Sequence, residues 1–333
     1  MDEHDPIQNV NSIKMKKIQT ALIIGLGSIG MRHLGVITEL FPNIKIIALR
    51  HNPESCNEMI SGVSLSVSNL QDAISEKPDI AIIANPASMH LSIAIELAMA
   101  GIHLLIEKPI TLNSNDLLKN IKKSSLKRKI IQAGYNLKYD SGLNYIKKNL
   151  SSKVIGKIYY CKISYANGTA RSNSNNVGSI FDMASHSVNL LMWLFNSKVL
   201  KIINSYNQKN EFSKIHPDNG FAILKAKDIL INLHHGFCNW KNIFSIEVYA
   251  RQGSLKVCSL PKWGDQTVII EKRVLPSGNP KVKIKKFKYD LSFKNELHSL
   301  LETIRGINKS KKSVIKQINY ESYYTLKNTI LLK

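Results

Sequence analysis

A glycine turn, Gly25-Leu26-Gly27-Ser28-Ile29-Gly30, follows an apolar run at residues 21–24 and opens a helical pattern that ends in a second apolar run at 44–49. That order of strand, turn, helix and strand is the context that makes a G-x-G-x-x-G match a credible dinucleotide site. Gly25 allows the tight turn, Gly27 lets the backbone approach a pyrophosphate, and Gly30 lets the helix pack closely on the strand. The unpaired N–H groups at the helix start, around Leu26, Ser28 and Ile29, then face phosphate charge.

The alternation continues downstream. The pattern predicts helices over 69–76, 88–100 and 112–125, and strands over 79–84, 103–106 and 130–133. Strands alternating with helices imply a doubly wound parallel sheet, a Rossmann arrangement. The rhythm changes near residue 139. One helix is expected over 141–150 and another over 178–195. Between and after them lie strand-like runs at 157–165, 199–205, 221–224, 229–235, 245–250, 254–257, 266–274 and 282–287, closed by helices over 293–304 and 320–332. Short turns between those runs suggest a large, mostly antiparallel sheet, so the second unit is α+β. The expected organisation is therefore an N-terminal extension at 1–16, a dinucleotide-binding Rossmann domain at 17–138 and an α+β domain at 139–333.

Bulk properties narrow the class. A chain of 333 residues is long enough for two domains and a sizeable core. The most apolar region, 80–106, is broken by Asn85, Pro86, His90, Glu96 and His103, so no run is long enough to span a bilayer. The polar N-terminus lacks the apolar core of a secretory signal. Cys56, Cys161, Cys238 and Cys258 are scattered, which fits a reduced cytoplasmic protein rather than a disulfide frame or a zinc site. The net charge of +22 comes from lysines spread along the whole chain. No nucleic-acid motif accompanies it, so the charge reads as compositional bias, with attraction of anionic ligands as a by-product.

Several residues are candidates for chemistry. The strand at 103–106 runs into Glu107-Lys108-Pro109, and ligands of open α/β sheets sit beyond the carboxyl ends of the strands. An ammonium at Lys108 there hydrogen-bonds a substrate hydroxyl and stabilises oxyanion charge, unless it is only a surface lysine capping a strand. Asp182 and His186 are four residues apart, which on a helix places both on one face. A carboxylate beside an imidazole favours the protonated or correctly oriented ring and suits proton transfer; an ordinary helix-surface pair has the same spacing. No further ligand lies at a metal-site spacing. At the end of the second strand, an NAD enzyme usually presents an acid to the ribose 2′-hydroxyl. Here the position carries Arg50, which pairs with a 2′-phosphate, so NADP(H) is expected to bind more tightly than NAD(H). Asn85, Pro86 and His90 lie at a strand end and helix start near the expected cofactor. Tyr135 and Asn136 follow another strand end, and Arg171 sits in a polar loop able to bind an anionic substrate group.

Five segments together, GLGSIGMRHL (25–34), NPASMH (85–90), EKPI (107–110), GYNLKY (134–139) and GSIFDMASHSVNLLMWLF (178–195), resemble the Gfo/Idh/MocA oxidoreductases over nearly the whole chain. The resemblance implies that Lys108, Asp182 and His186 are catalytic and that Glu107 and Lys108 border the cofactor. It also implies a substrate domain whose open sheet face makes homodimers or homotetramers. The expected activity is hydride transfer between NADP or NAD and a secondary hydroxyl or ketone of a sugar or nucleotide sugar, in surface-polysaccharide biosynthesis. The alternatives are a cyclitol dehydrogenase and a non-catalytic dinucleotide-binding regulator. The expected partner is a small-molecule sugar, with no nucleic acid and no membrane.

Overall fold

The structure, a computed structural model, describes residues 18–122, 129–150, 154–168, 178–210, 215–307 and 312–333. The expected extension at 1–16 and the candidate Arg171 lie outside these residues.

Six strands form the first sheet: β1 (Thr20–Ile24), β2 (Lys45–Leu49), β3 (Leu65–Val67), β4 (Ile80–Ile83), β5 (His103–Ile106) and β6 (Ile131–Ala133). They lie in the order β3-β2-β1-β4-β5-β6, with every neighbouring pair parallel. Strands covered on both faces need apolar residues on both, and β4 is buried at every position. Alternate residues serve opposite faces. Ala21, Ile23, Ile80 and Ile82 pack with Leu34 and Ile37 of α1 (Ser28–Leu40). Leu22, Ile24, Ala81 and Ile83 pack with Ile93 and Leu97 of α3 (Ala87–Met99), which follows the short α2 (Leu70–Ser75). The Asn113 side chain caps α4 (Ser114–Ile121) by accepting from the Asn115 N–H. Chain order reverses between β1 and β4, and this switch point opens a crevice beyond their carboxyl ends. The edge strand β3 is unexpected: three half-buried residues among alternating serines carry little periodicity, and only their pairing with Ile47, Ala48 and Leu49 makes them a strand.

After α5 (Ser141–Asn149) and β7 (Ile158–Ala166), the chain forms α6 (Ser185–Leu194) and then seven strands: β8 (Lys201–Gln208), β9 (Asn219–Ala226), β10 (Ile229–Gly236), β11 (Ile243–Ala250), β12 (Gly253–Cys258), β13 (Gln266–Val274) and β14 (Gly278–Phe287). The sheet runs β14-β13-β12-β11-β7-β10-β9-β8 and is antiparallel except where β7 lies parallel to β10. Period-two burial turns Cys161, Ile163 and Tyr165 of β7 inward against α6, with Ile231 and Leu233 of β10 beside them.

Two helices end the chain, α7 (Ser292–Ile307) and α8 (Lys312–Ile330). Leu297, Leu300 and Leu301 of α7 enter the core that holds Ala21 and Ile23, and Leu326 of α8 packs in the core with Ile131. The segment expected over 139–333 as a separate unit thus lends its last helices to the first sheet. An apolar stripe reveals that a helix is covered, and not by which layer.

Candidate active site

Three glycines shape the crevice in different ways. Gly25 has φ +84° and its N–H donates to the Leu49 carbonyl at 3.1 Å. A Cβ there would lie 2.9 Å from the Asn85 backbone, and a Cβ on Gly30 would lie 1.9 Å from the Gly25 carbonyl oxygen. Both are required by the protein's own packing. A Cβ on Gly27 would meet nothing within 4 Å, so the protein itself leaves that space open. The α1 N-terminus that begins there has no side-chain cap. An open approach to uncapped N–H groups fits a pyrophosphate. Ser28, Ile29 and Gly30 form the first turn of that helix, and Ile29 is exposed. The adjoining cleft has a volume of about 920 Å³ and is lined by Gly25, Leu26, Gly27, Arg50, Asn85 and Pro86 among others.

Arg50 sits where the sequence places it, on the wall of this cleft beside His51, Asn52 and Ser55. Its guanidinium donates to the Glu58 carboxylate at 2.8 Å and to the Ser55 carbonyl. Among the described residues lining the cleft there is no carboxylate.

His90 stands behind the cleft wall, against Asn85. It is 2% exposed, and its two ring nitrogens lie 2.9 Å from the Pro109 carbonyl oxygen and 2.7 Å from the Asn85 carbonyl oxygen. The ring therefore braces the turn after β4 against the turn after β5. The Glu107 carboxylate bonds His33 Nε2 at 2.9 Å.

Lys108, the residue between these braces, reaches across to the second unit. Its ammonium donates to the Asp182 carboxylate and, at 3.1 Å, to the Asp182 main-chain carbonyl. Asp182 belongs to a π-helical turn, Ile180–Ala184, that leads into α6 where one continuous helix is expected. The wider turn re-aims the side chain, as such turns do at functional sites. His186 follows in the first turn of α6, 8% exposed, with Nδ1 enclosed and without a hydrogen-bond partner. Tyr135 and Tyr165 meet its ring edge-on, with centroids 5.8 and 5.7 Å away. Burial first, then the charges of Lys108 and Lys262, hold the His186 imidazole well below its usual range. The carboxylate of Asp182 thus serves the lysine, and the ring is kept neutral rather than protonated, contrary to the expectation from spacing alone.

Tyr135 is buried against His186, and burial pushes its hydroxyl up. Asn136 is buried too and donates to the Ser292 hydroxyl at 2.9 Å. Lys262, Arg32 and Asp290 complete the surroundings: Lys262 donates to the Tyr165 hydroxyl at 3.2 Å, and Arg32 is ion-paired with Asp290. The signal for Arg32 was its place directly after the glycine turn; for Lys262 there was none.

A nucleotide crevice at the β1–β4 switch point, with a lysine, a carboxylate and a neutral imidazole gathered beside it, defines an NAD(P)-dependent oxidoreductase. Residues 20–135 match the family described as "Oxidoreductase family, NAD-binding Rossmann fold", and residues 143–256 match the "GFO/IDH/MocA C-terminal domain". The chain belongs to the Gfo/Idh/MocA family. Among characterised proteins it is similar to an inositol 2-dehydrogenase/D-chiro-inositol 3-dehydrogenase of Halalkalibacterium halodurans, with 22% identity over 249 residues, 72% of this chain and 71% of the relative. Among solved structures it shares its fold with a UDP-N-acetylglucosamine 3-dehydrogenase from Acidithiobacillus ferrooxidans (TM-score 0.76, 16% identity, covering 94% of this chain and 96% of the other). A 3-ketoreductase from Actinomadura kijaniata in complex with NADP is comparable (TM-score 0.76, 14% identity, covering 95% and 97%). Among the described residues, no helix is long and apolar enough to cross a membrane, and no group of His, Cys, Asp and Glu could hold a metal ion.

Proposed function

We propose that this protein interconverts a secondary hydroxyl and a ketone on a sugar or nucleotide sugar, with Lys108, Asp182 and His186 as the reacting site. The observation that carries the reading is the meeting of Lys108, from the end of β5, with Asp182 of the π-helical turn and His186 at the start of α6, beside the nucleotide cleft. The nicotinamide, when bound, supplies the hydride acceptor or donor. His186, neutral through burial, takes the hydroxyl proton in the oxidative direction and returns it in reduction. Lys108 donates a hydrogen bond to the substrate oxygen and stabilises charge developing on it. Asp182 holds the ammonium in place. Gly27 and the first N–H groups of α1 receive the pyrophosphate, and Arg50 favours a 2′-phosphate, hence NADP(H).

The names of the similar proteins, an inositol dehydrogenase, a UDP-N-acetylglucosamine 3-dehydrogenase and a 3-ketoreductase, favour a polyhydroxylated ring as substrate. A homodimer or homotetramer through the open face of the second sheet is part of the reading. Tyr206, Phe221 and His234 form a row there across β8, β9 and β10, with Tyr206 and Phe221 exposed.

The test is a cofactor-reduction screen with NADP and NAD against nucleotide sugars, free sugars and inositols. One class should turn over, and Lys108→Ala and His186→Ala should each lower kcat/KM by about 10²–10⁴-fold. Near-normal turnover in both variants would defeat the assignment.

A further inference from the structure

Lys262 lies in the connection between β12 and β13, outside every motif of the sequence. Its ammonium hydrogen-bonds the Tyr165 hydroxyl and rests 4.6 Å from the centre of the Trp263 ring. Tyr165 in turn touches the edge of His186. The charges around Lys262 come from four separate elements: Arg32 of α1, Lys108 after β5, Asp182 in the π-helical turn and Asp290 before α7. They are already matched among themselves, Arg32 with Asp290 and Lys108 with Asp182. Lys262 is the cation left over, and among the described residues no carboxylate lies within ion-pair distance of it. Its side chain is open to solvent, yet enough protein surrounds the ammonium that desolvation, with Arg32 and Lys108 adding to it and the two carboxylates opposing, lowers it to about 8. A cation that is accessible, partly desolvated and without an ion-pair partner of its own is stabilised by an anion arriving from solution.

We propose that Lys262 receives an acidic oxygen group of the substrate, a carboxylate or a phosphate, close to the carbon that exchanges hydride, so that the enzyme selects an anionic sugar over its neutral counterpart. The position follows from Tyr165, which links Lys262 to the ring of His186, and the inference rests on the reading of Lys108, Asp182 and His186 as the reacting site. The hydrogen bond to Tyr165 holds the ammonium on the substrate side of that ring, and Trp263 gives it an apolar wall. Lysine suits the task as a compact, reorientable point charge that accepts either anion.

The test is calorimetric titration of the full chain saturated with NADP+, using two matched pairs of probes: glucuronate against glucose, and N-acetylglucosamine 1-phosphate against N-acetylglucosamine. The acidic member of at least one pair should bind about tenfold or more tightly than its neutral partner. Lys262→Met should erase that advantage and Lys262→Arg should keep it, with the affinity for NADP+ unchanged in both. Dependence on Lys262 in the first pair alone identifies a carboxylate, and in the second alone a phosphate. The proposal is overturned if neither pair shows a preference, if the preference survives in Lys262→Met, or if that variant loses NADP+ rather than the acidic probe. Because binding is read without turnover, a charge preference in an enzyme that reduces no cofactor would sink the dehydrogenase reading alone, and turnover without charge preference would sink this one alone.

Discussion

The ammonium of Lys108 and the carboxylate of Asp182 form an ion pair that joins the end of the parallel sheet to the helix beneath the antiparallel one. Their side chains are only 15% and 17% exposed, so each charge depends on the other for the solvation it has lost. Asp182→Ala should therefore destabilise the protein by about 3 kcal/mol, as the loss of one partner of a buried pair does. The double variant Lys108→Met, Asp182→Leu should recover most of that loss. Chemical-denaturation midpoints of the two variants decide it; equal losses would show that the pair is not coupled.

Gly27 separates folding from binding. Because a Cβ there would touch no protein atom, Gly27→Ala should leave Tm unchanged while weakening NADPH binding by about tenfold or more, some 1.4 kcal/mol or above. Gly30→Ala should lower Tm as well, since its Cβ would collide with the Gly25 carbonyl oxygen. Thermal melts run beside fluorescence titrations with NADPH distinguish the two. An equal fall in Tm for both variants would mean that Gly27 is structural.

Arg50 is held by Glu58, whose side chain is 69% exposed, so that ion pair is weak and exchangeable. Arg50→Ala should weaken NADP(H) by about tenfold and leave NAD(H) within about threefold, and Glu58→Gln should strengthen NADP(H) by a few-fold. Dissociation constants for both cofactors in the three proteins test this. An NAD preference that persists in Arg50→Ala would contradict it.

The buried imidazole of His186 sets a pH dependence of defined sign. Its folded-state value lies below the ordinary one of about 6.5. The base form therefore persists as pH falls through 6.5, and kcat/KM for oxidation should hold there and drop only at lower pH. The unfolded chain does take up the proton below about 6.5, so this residue contributes stability above that pH and loses it under more acid conditions, by at most about 1.4 kcal/mol per pH unit. A kcat/KM profile on the acid side checks the first statement. A limb centred near the ordinary imidazole value would show that the ring is solvated in the working enzyme.

Glu296 of α7 is fully buried, and neither carboxyl oxygen has a hydrogen-bond partner. Burial, with the charge of Glu107 adding to it, pushes its carboxyl well above the usual range. A raised acid is neutral in both states below about 4.3, and stability is lost as pH rises, because the unfolded chain ionises first. Glu296→Gln removes that penalty. It should raise Tm at pH 8 by a few degrees, roughly 2–4 °C for each kcal/mol gained, and change it little at pH 4. A gain of the same size at both pH values would show that ionisation is not the cause.

The glycine turn, the run of parallel strands and the change to an antiparallel sheet near residue 139 were all legible from periodicity, because each apolar pattern reports the face it buries. Lys108, Asp182 and His186 were legible as candidates because they sit in recognisable segments. Their arrangement was not. Four-residue spacing suggested a carboxylate bound to an imidazole, whereas the π-helical turn hands Asp182 to Lys108. His90 and Glu107 were legible as residues expected near the cofactor, whereas their hydrogen bonds to Asn85, Pro109 and His33 were not. Lys262 stood among scattered lysines with nothing to mark it.

Local chemistry along the chain determined where strands and helices form, where a phosphate is admitted, and which residues are able to move a proton. Only the tertiary structure decided which of them meet. Ion pairing, desolvation and enclosure depend on groups brought from 74 residues apart, as Lys108 and Asp182 are, and no periodicity within one segment encodes the neighbour that another segment supplies.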